Sequence, residues 1–572
     1  KVNKSIYCYS IANAYLQIYM MFGRYTARNV LSMQGIMNNI LVLVLMVLTL
    51  SGCGEGNKTI TSEMGISAGL SKGICPLIHC DTEQSDTFDV VGPISPSKIL
   101  SKKEIDLLWS SPIAGGVLDY IYPDGQRVFW VPQVDRIMKL RLNSDNTLEK
   151  IAEMPLQPKD YPRFSPEDMQ EKIRQLDDAQ LNSEKYEELA DFWDGYQMEG
   201  LRAYYAMVNN AGILYVSNRN GVVAYTDSEP GNPASGITKV GQYTFAKLKL
   251  QLGLKMPMVI LIGMNMTPDG HIIAVTIDGT VIGIKPDLSD AYYHNLKGEQ
   301  IWNSIAIDSK DGIYLTGNKA MHKLVWTNAG FSTKLEDGAW SVPYKNGELN
   351  DSLRAGRGSG TTPALMGSLQ DKDRFVVSAD GADVNNLIFY WRDEIPNNWK
   401  QLPGSSSRRI AGIMPVNFGD NSLDNSYSEC SATMFEYGAL LANNAVKTNE
   451  AMTMDVQLKM KDPARTPFGI QKFQWNPVTQ QAEVAWSRDD VSSPNSVPIV
   501  SKKDRGLHAV GIKDGKWVWE TLDWDTGKTR AIYVLGESER FNPIMLALQL
   551  LPNGDPIYPA FGGVVHLRLG EK

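Results

Sequence analysis

The sequence predicts an all-β fold on two observations. Short runs of apolar and β-branched residues recur throughout the body of the chain, and Asp-Gly or Asn-Gly dipeptides connect them, as tight hairpin turns require. About eight stretches share this plan, each long enough for one small antiparallel sheet. Because radial repetition of four-stranded sheets protects strand edges, the pattern favours a β-propeller of seven or eight blades. Two smaller β domains or a pair of β-sandwiches are the alternatives.

Three stretches show the repeat most clearly. Residues 264–284 contain three strand-like runs with turns at Gly270 and Gly279, and residues 305–326 and 205–225 follow the same plan. The starts of the units lie roughly 40 to 90 residues apart, so the period is loose. Weaker copies cover residues 117–142, 362–391, 431–444, 508–522 and 545–569.

One segment breaks the β pattern and predicts a helical insertion, residues 155–198, between the first two blades. Ser165 is a suitable N-cap, Pro166 stands at the first helical position and Asp168 at the third, as a capped helix start requires. Apolar residues follow at helical spacing, with a break near Asn182. Such an insertion would either pack against the side of the propeller or cover one face as a lid.

The apolar run at residues 40–50 is too short to span a bilayer but typical of the central part of an export signal. It ends in Leu50-Ser-Gly-Cys53, which resembles the lipobox of bacterial lipoproteins. The resemblance implies that residues 1–52 are a leader and signal peptide and that Cys53 carries the lipid. A start at Met20 or Met21 would include Arg24 and Arg28 and give this signal the usual basic beginning. The alternative for the residues before it is a genuine N-terminal helix.

Charge excludes two classes of partner. Without residues 1–52 the formal net charge falls from −8 to −12, because the leader contains four basic residues and no acidic one. An acidic chain without basic runs does not suit nucleic acid, whose phosphates need clustered Lys and Arg, or anionic lipid surfaces. The membrane would therefore hold the protein through the acyl chains of the anchor. Gly54 follows Cys53 where an aspartate would suggest inner-membrane retention, which favours the outer membrane in a Gram-negative host.

The cysteines beyond the leader also fit an exported protein. Cys75 and Cys80 are close enough in sequence to form a disulfide in an oxidising compartment, with a metal or haem site as the alternative. Cys430 is expected to be a buried core thiol. Residues 53–103 are rich in Gly, Ser, Thr and Asp, which predicts a flexible tether between the anchor and a folded body at residues 104–572.

One turn resembles those of quinoprotein-type propellers. Residues 523–528 are Asp-Trp-Asp-Thr-Gly-Lys, similar to the Asp-x-x-Thr-Gly-Lys turn that closes a hairpin between outer strands in that superfamily. Ala531 replaces the tryptophan that usually follows, and the mature chain has no adjacent Cys-Cys pair. The resemblance therefore implies the propeller fold without a bound quinone.

A second resemblance concerns a metal site. Residues 302–315, which include an Asp-Gly turn, are similar to blades of the gluconolactonase, regucalcin and paraoxonase propellers. In those enzymes an asparagine at this point lies in the central tunnel and binds Ca²⁺, a hard cation that prefers oxygen ligands and polarises an ester or lactone carbonyl. The resemblance implies a tunnel Ca²⁺ site, whose residues would be Asn303, Asn265, Asn542 and either Glu199 or Glu429.

Charged residues on both sides of one predicted strand are candidates for a binding rim. Asp380 and Asp383 precede the strand, and Arg392 and Asp393 follow it; an ordinary polar turn and a solvated edge are the alternatives. The sequence as a whole predicts an exported, lipid-anchored β-propeller with a monomeric body that binds or scaffolds envelope proteins or peptides. Because a fold alone does not choose a function, the alternative is a Ca²⁺-dependent lactonase or esterase.

Overall fold

The computed structural model describes residues 67, 69–111, 116–156, 163–181, 183–199, 205–218, 221–246, 260–349, 358–450, 454–544 and 546–570. All of them lie within the unit Glu63–Lys572. Cys53 and the predicted leader lie outside these residues, so the lipidation site stays a prediction. Across the described ranges, no helix is both long enough and apolar enough to cross a membrane.

Most of the regular structure consists of short strands. The strands of the first half of the body are β1 (Thr87–Phe88), β2 (Lys98–Ile99), β3 (Ile105–Trp109), β4 (Leu118–Ile121), β5 (Arg127–Pro132), β6 (Arg136–Leu142), β7 (Leu148–Pro155), β8 (Ala206–Val208), β9 (Leu214–Asn218), β10 (Gly221–Asp227), β11 (Ile237–Thr244), β12 (Leu261–Met266), β13 (Ile272–Thr276), β14 (Thr280–Ile284), β15 (Ala291–Asn295), β16 (Ala306–Ile307), β17 (Gly312–Thr316), β18 (Ala320–Thr327), β19 (Gly330–Ser332) and β20 (Trp340–Pro343).

The second half continues in the same way. Its strands are β21 (Ala364–Met366), β22 (Phe375–Ala379), β23 (Asn386–Trp391), β24 (Ile410–Pro415), β25 (Thr433–Phe435), β26 (Gly438–Ala442), β27 (Ile470–Asn476), β28 (Gln481–Arg488), β29 (Ser496–Val497), β30 (Ile499–Ser501), β31 (Gly506–Lys513), β32 (Lys516–Asp523), β33 (Thr529–Gly536), β34 (Leu546–Ala547), β35 (Gln549–Leu550), β36 (Pro556–Ala560) and β37 (Gly563–Leu567). The helices are α1 (Pro166–Asp178), α2 (Glu184–Glu199), α3 (Met454–Leu458) and two 3₁₀ turns, Leu335–Asp337 and Glu539–Phe541.

The strands form four-stranded antiparallel sheets in simple up-and-down order, which confirms the all-β prediction. Additional strands join some of these sheets, and β29 forms a separate parallel pair with β34. In the described residues, the larger sheets are β4–β7, β8–β11, β12–β15, β16–β19 with β20 on β18, β21–β24, β25–β28, β30–β33 with β1 and β2 at its edges, and β35–β37 with β3.

The hydrophobic core lies between the faces of successive sheets. In one buried cluster, for example, Leu118 and Trp130 of the sheet β4–β7 pack with Val216 and Tyr225 of the sheet β8–β11. The innermost strands of neighbouring sheets also touch, in the pairs β4–β8, β8–β12, β12–β16, β21–β25 and β25–β30. Sheets that pack face to face and bring their first strands together are the building plan of a β-propeller.

A buried lysine connects one sheet to the next at three places. Lys139, Lys323 and Lys472 lie on strands inside their sheets and are at most 8% exposed. The Lys139 ammonium is 2.6 Å from the carboxylate of Asp227 in the following sheet, and Lys472 donates to the carbonyl of Trp524 at 3.0 Å. Each ammonium also lies over an aromatic ring, 4.3 to 5.2 Å from its centre. These cations give the contact between sheets a directional polar component.

Two helices lie between β7 and β8. The predicted helix start at Ser165 is present: its side chain accepts the N–H of Asp168, whose carboxylate accepts the N–H of Ser165 in return. Apolar side chains of α1 and α2 form a buried cluster with Leu458 and Phe561 from distant parts of the chain. The described faces of the helices are thus packed against the body, a contact that both alternatives share.

Residues 67–103 correct the prediction of a flexible tether. Leu70 bridges to Asn209, β1 pairs with β30, β2 pairs with β33, and most side chains between Cys75 and Phe88 are buried. The tether prediction is wrong for this part because its small polar side chains find hydrogen-bond partners in the body, and composition alone does not reveal such partners. The folded body therefore begins well before residue 104.

Strands from opposite ends of the chain complete one sheet: β3 pairs with β37, the last strand. His566 on β37 lies between two carboxylates: Nδ1 is 3.2 Å from Asp106 Oδ2, and Nε2 is 3.3 Å from Asp555 Oδ2. Burial alone would lower the pKa of His566, but the hydrogen bonds to Asp106 and Asp555 outweigh burial and raise that pKa above its usual 6.5.

We predict that the pairing of β3 with β37 contributes less to stability as the pH rises. A histidine whose pKa is raised by folding contributes stability that is complete below its unfolded pKa and is lost as the pH rises through its folded pKa. The free energy of unfolding should therefore fall as the pH rises beyond 6.5. The fall should be smaller in His566→Gln, which cannot titrate. Urea unfolding across this range measures the difference, and identical pH profiles for the two proteins would contradict the assignment.

Candidate functional site

The centre of the fold contains a segment of the chain itself, residues 69–92, which we call the inner segment. It passes along the innermost strands of successive sheets, and its backbone carbonyls accept N–H groups from β4, β8, β16, β21, β25 and β30. These bonds join Asp119 to Cys75 (2.9 Å), Val208 to Pro76 (2.8 Å), Ile307 to Thr82 (2.7 Å), Leu365 to Glu83 (3.0 Å), Met434 to Ser85 (2.9 Å) and Val500 to Asp86 (3.0 Å).

The backbone of the inner segment turns sharply to make these bonds. His79, Cys80, Gln84 and Asp86 all have positive φ angles, between 56° and 67°. Such angles are unfavourable for residues other than glycine and persist only where the surroundings impose them. The Cys75–Cys80 disulfide, which is present as predicted, closes the first of these turns. Cys430 is a buried free thiol, also as predicted.

A hydrogen-bonded chain of three side chains connects the inner segment to the residues before β25. The two carboxylate oxygens of Asp86 lie 3.0 and 2.9 Å from His79 Nδ1, and His79 Nε2 is 3.2 Å from Ser431 Oγ. Burial raises the pKa of Asp86, and the neighbouring His79 opposes this rise. The order of groups is that of a serine hydrolase triad, but Ser431 is only 2% exposed. In this enclosed position the chain of hydrogen bonds fixes the inner segment.

Polar groups of the inner segment also form hydrogen bonds with each other, as Asp81 shows. Its carboxylate accepts the backbone N–H of Ser85 at 3.2 Å and the Ser85 hydroxyl, and its carbonyl accepts the Gln84 amide at 2.9 Å. Burial raises the pKa of Asp81, and the bonds from Ser85 oppose this rise. A segment rich in small polar residues is therefore stable in the interior, because most of its donors and acceptors are paired.

Asn303, the principal residue of the predicted Ca²⁺ site, is already engaged by the protein. Its side-chain oxygen accepts hydrogen bonds from Tyr205 Oη at 2.6 Å, Thr362 Oγ1 at 2.6 Å and the N–H of Ser304 at 2.9 Å. Its amide nitrogen donates to the carbonyl of Glu429 at 3.2 Å. An oxygen that accepts three hydrogen bonds has no lone pair left for a cation.

The other predicted ligands belong to different networks. The Asn265 amide donates to the carbonyl of Thr82 at 3.0 Å, and its oxygen accepts the N–H of the next residue at 2.8 Å. Asn542 Oδ1 accepts from Asn495 at 2.9 Å, far along the chain from both. Glu429 contacts Asn303 through its backbone, and the side chain of Glu199 is outside the described part.

The donor set therefore does not fit a Ca²⁺ ion, and the prediction of a tunnel metal site is corrected. The physical reason for this correction is the inner segment. The asparagines predicted as ligands bond to protein groups, and Asn265 bonds to the inner segment itself. Among the described residues, no group of three or more His, Cys, Asp or Glu side chains is close enough to hold a metal ion.

The predicted binding rim is also only partly exposed. Asp380 is buried, and its Oδ1 accepts the N–H groups of Ala382 at 3.1 Å and Asn386 at 2.8 Å, as in an ordinary polar turn. Arg392 is buried too. The rim prediction is wrong for these two residues, because both side chains are buried. Asp383 and Asp393 are partly accessible.

Comparison with known proteins gives one clear relationship. An uncharacterized protein of Archaeoglobus fulgidus is 30% identical over 376 residues, which cover 63% of this chain and 69% of the archaeal protein. The chain belongs to the same family as this protein. No protein-family model matches the chain.

Similar solved structures share only 10% sequence identity with the chain. A streptogramin B lyase covers 81% of this chain and 97% of its own length with a TM-score of 0.33. BamB from Moraxella catarrhalis covers 63% and 95% with a TM-score of 0.32, and the RRP9 WD40 repeats cover 72% and 92% with a TM-score of 0.36. Scores this low add nothing to the fold assignment, which rests on the strand pairing described above.

We predict that the His79–Asp86 pair is essential for stability. Asp86→Ala should lower the free energy of unfolding by about 3 kcal/mol or more, because it leaves a buried imidazole without its partner. Asp89→Ala changes an exposed carboxylate on the same segment and should change the free energy by less than about 0.5 kcal/mol. Denaturant unfolding of the two variants provides the comparison. Equal small effects would show that the pair does not hold the inner segment in place.

Proposed function

We propose that the protein is an exported, lipid-anchored β-propeller of eight blades that binds or scaffolds other components of the cell envelope through its outer surface. The observation that carries this proposal is the inner segment. It occupies the inner edges of the sheets, where a propeller without such a segment would offer a central cavity to a ligand. A partner would therefore engage the faces and outer edges of the sheets.

Two features support an extracytoplasmic location. The Cys75–Cys80 disulfide fits an oxidising compartment, in which such bonds form and persist. The lipobox-like sequence that ends at Cys53 provides an export signal and an attachment point. The acidic body has no basic surface run that would hold it to anionic lipid, so the acyl chains would provide the attachment.

The buried polar groups favour binding over hydrolysis. The asparagine oxygens that would bind Ca²⁺ in a lactonase accept hydrogen bonds from the protein. Ser431, which is hydrogen-bonded to His79 and through it to Asp86, is buried. A hydrolase of either kind needs an exposed nucleophile or an open coordination position. We therefore do not retain the Ca²⁺-dependent lactonase or esterase as a second candidate.

The anchor is tested with the full chain, including its leader, expressed in a bacterial host. Wild type should fractionate with membranes and carry a diacylglycerol adduct on Cys53, whereas Cys53→Ala should lose both. Cys8→Ala removes a cysteine that precedes the proposed cleavage point and should behave as wild type. Mass spectrometry of the N-terminal peptide reads the adduct. An unmodified Cys53 in membrane-bound wild type would exclude the lipoprotein assignment.

The binding role is tested in the same membranes by site-specific photo-cross-linking. A photoreactive residue is placed at Ile99, Leu335 or Val478, three exposed apolar positions on different sheets or turns, and at buried Val275 as a control. One exposed position should give a discrete adduct with a single envelope protein, which Cys53→Ala abolishes. Absence of adducts at all three positions, with a monomer after purification, would exclude a scaffolding role through these surfaces.

A further inference from the structure

A polar pocket lies where two neighbouring sheets, β16–β20 and β21–β24, present their turns side by side. The turn between β16 and β17 contributes Lys310, the turn between β21 and β22 contributes Lys372 and Arg374, and the end of β23 contributes Trp391. Its volume is about 290 Å³, and its lining residues are Lys310, Lys372, Arg374, Trp391, Asp393 and Glu394.

Positive charge exceeds negative charge around this pocket. Asp393 is shared among three cations: its Oδ2 lies 2.9 Å from Arg374 Nη2 and 3.7 Å from Arg392 Nε, and its Oδ1 lies 3.7 Å from Lys323 Nζ. Lys310 and Lys372 make no ion pair with a described residue. The lining itself thus contains three cations and two carboxylates, Asp393 and Glu394, an excess of one positive charge in a chain whose net charge is −8 overall.

The second carboxyl group beside Arg392, that of Glu83, does not compensate for this excess. Glu83 Oε1 of the inner segment is 3.7 Å from Arg392 Nη1, too far for a hydrogen bond. Burial raises the pKa of Glu83 to about 8, although Arg392 opposes this rise, so the group is mostly uncharged at neutral pH.

Two buried donors near the pocket have no hydrogen-bond partner among the described groups. They are Arg392 Nη1, on a side chain that is 3% exposed, and Nε1 of Trp391, which lines the pocket. Indole nitrogens without a partner also occur elsewhere in the described residues, at Trp130 and Trp517 for example, so these two donors only add to the charge excess of the lining. The charge excess is the observation that calls for an anion.

We propose that this pocket binds a phosphate group. A phosphate has several acceptor oxygens and a charge close to −2, which suits a site lined by Lys310, Lys372 and Arg374. The volume accommodates a phosphate with a small substituent. The phosphate belongs either to a small soluble molecule or to a lipid headgroup, and the chemistry of recognition is the same for both. This inference does not depend on the proposed scaffolding role.

The test uses the purified full chain and inorganic phosphate as the probe, with chloride at equal ionic strength as the reference. Wild type should bind about one phosphate in calorimetry, and its melting temperature should rise with phosphate concentration as ligand linkage requires. The double variant K310Q/K372Q should bind at least about tenfold more weakly, because it removes two of the three lining cations. The control K239Q/K528Q makes the same charge change at exposed positions on other sheets and should bind as wild type.

Each other outcome has a defined meaning. Equal loss of binding in both double variants, or a melting temperature that rises equally with phosphate and chloride, would overturn the proposal in favour of unspecific charge screening. Binding that K310Q/K372Q retains in full would place the phosphate elsewhere and also overturn it. Co-sedimentation with phosphatidylcholine vesicles that contain phosphatidic acid, lost in K310Q/K372Q, would assign the phosphate to a lipid headgroup. Binding of inorganic phosphate without vesicle binding would assign it to a soluble molecule.

Discussion

The stability of the fold depends on hydrogen-bond partners for the backbone groups at the inner edges of its sheets. The innermost strand of each sheet has one edge without a partner in its own sheet, and this edge is buried at the centre of the fold. The inner segment supplies acceptors for six of these strands. A buried N–H without an acceptor costs about 1 to 3 kcal/mol, so six together compare with the whole stability of a domain, about 5 to 15 kcal/mol. The inner segment is thus an integral part of the fold.

This constraint also explains the chemistry at the centre. A chain that bonds to successive inner strands must turn repeatedly, which places His79, Cys80, Gln84 and Asp86 at positive φ. The charged and polar side chains that this path buries must pair with each other or with the body, as His79 does with Asp86 and with Ser431. What resembles a catalytic arrangement is a consequence of burying a polar segment, and the accessible chemistry lies between the sheets and at their turns.

The sequence predicts the local structure well, because hairpin turns, helix caps and short disulfide loops leave local signals. The turns at Gly270 and Gly279, the helix start at Ser165 and the Cys75–Cys80 disulfide need only neighbouring residues to be recognised. The site is less predictable because it depends on contacts between distant residues. Asn303 has the right position for a ligand, but its partners Tyr205 and Thr362 come from other sheets.

The inner segment is the main error of the sequence-based view, and the error has a physical cause. Gly, Ser, Thr and Asp are typical of solvated linkers, and their composition is the same when hydrogen bonds hold them in an interior. A useful signal was nonetheless present, since two cysteines, a histidine and Phe88 lie within this supposed linker. The buried lysines left no such signal, because their strands also contain other polar residues, such as Arg136, His322 and Gln471.

The most direct test of the account compares two chains that differ by residues 54–103, which include the inner segment. One begins at Gly54 and the other at Glu104, and both retain β3, which closes the last sheet. We expect the shorter chain to lose its cooperative thermal transition or to melt more than about 10 °C lower, and a synthetic peptide of residues 67–100 to restore part of the loss. Equal melting temperatures for the two chains would show that residues 67–103 are a tether after all and would contradict the account.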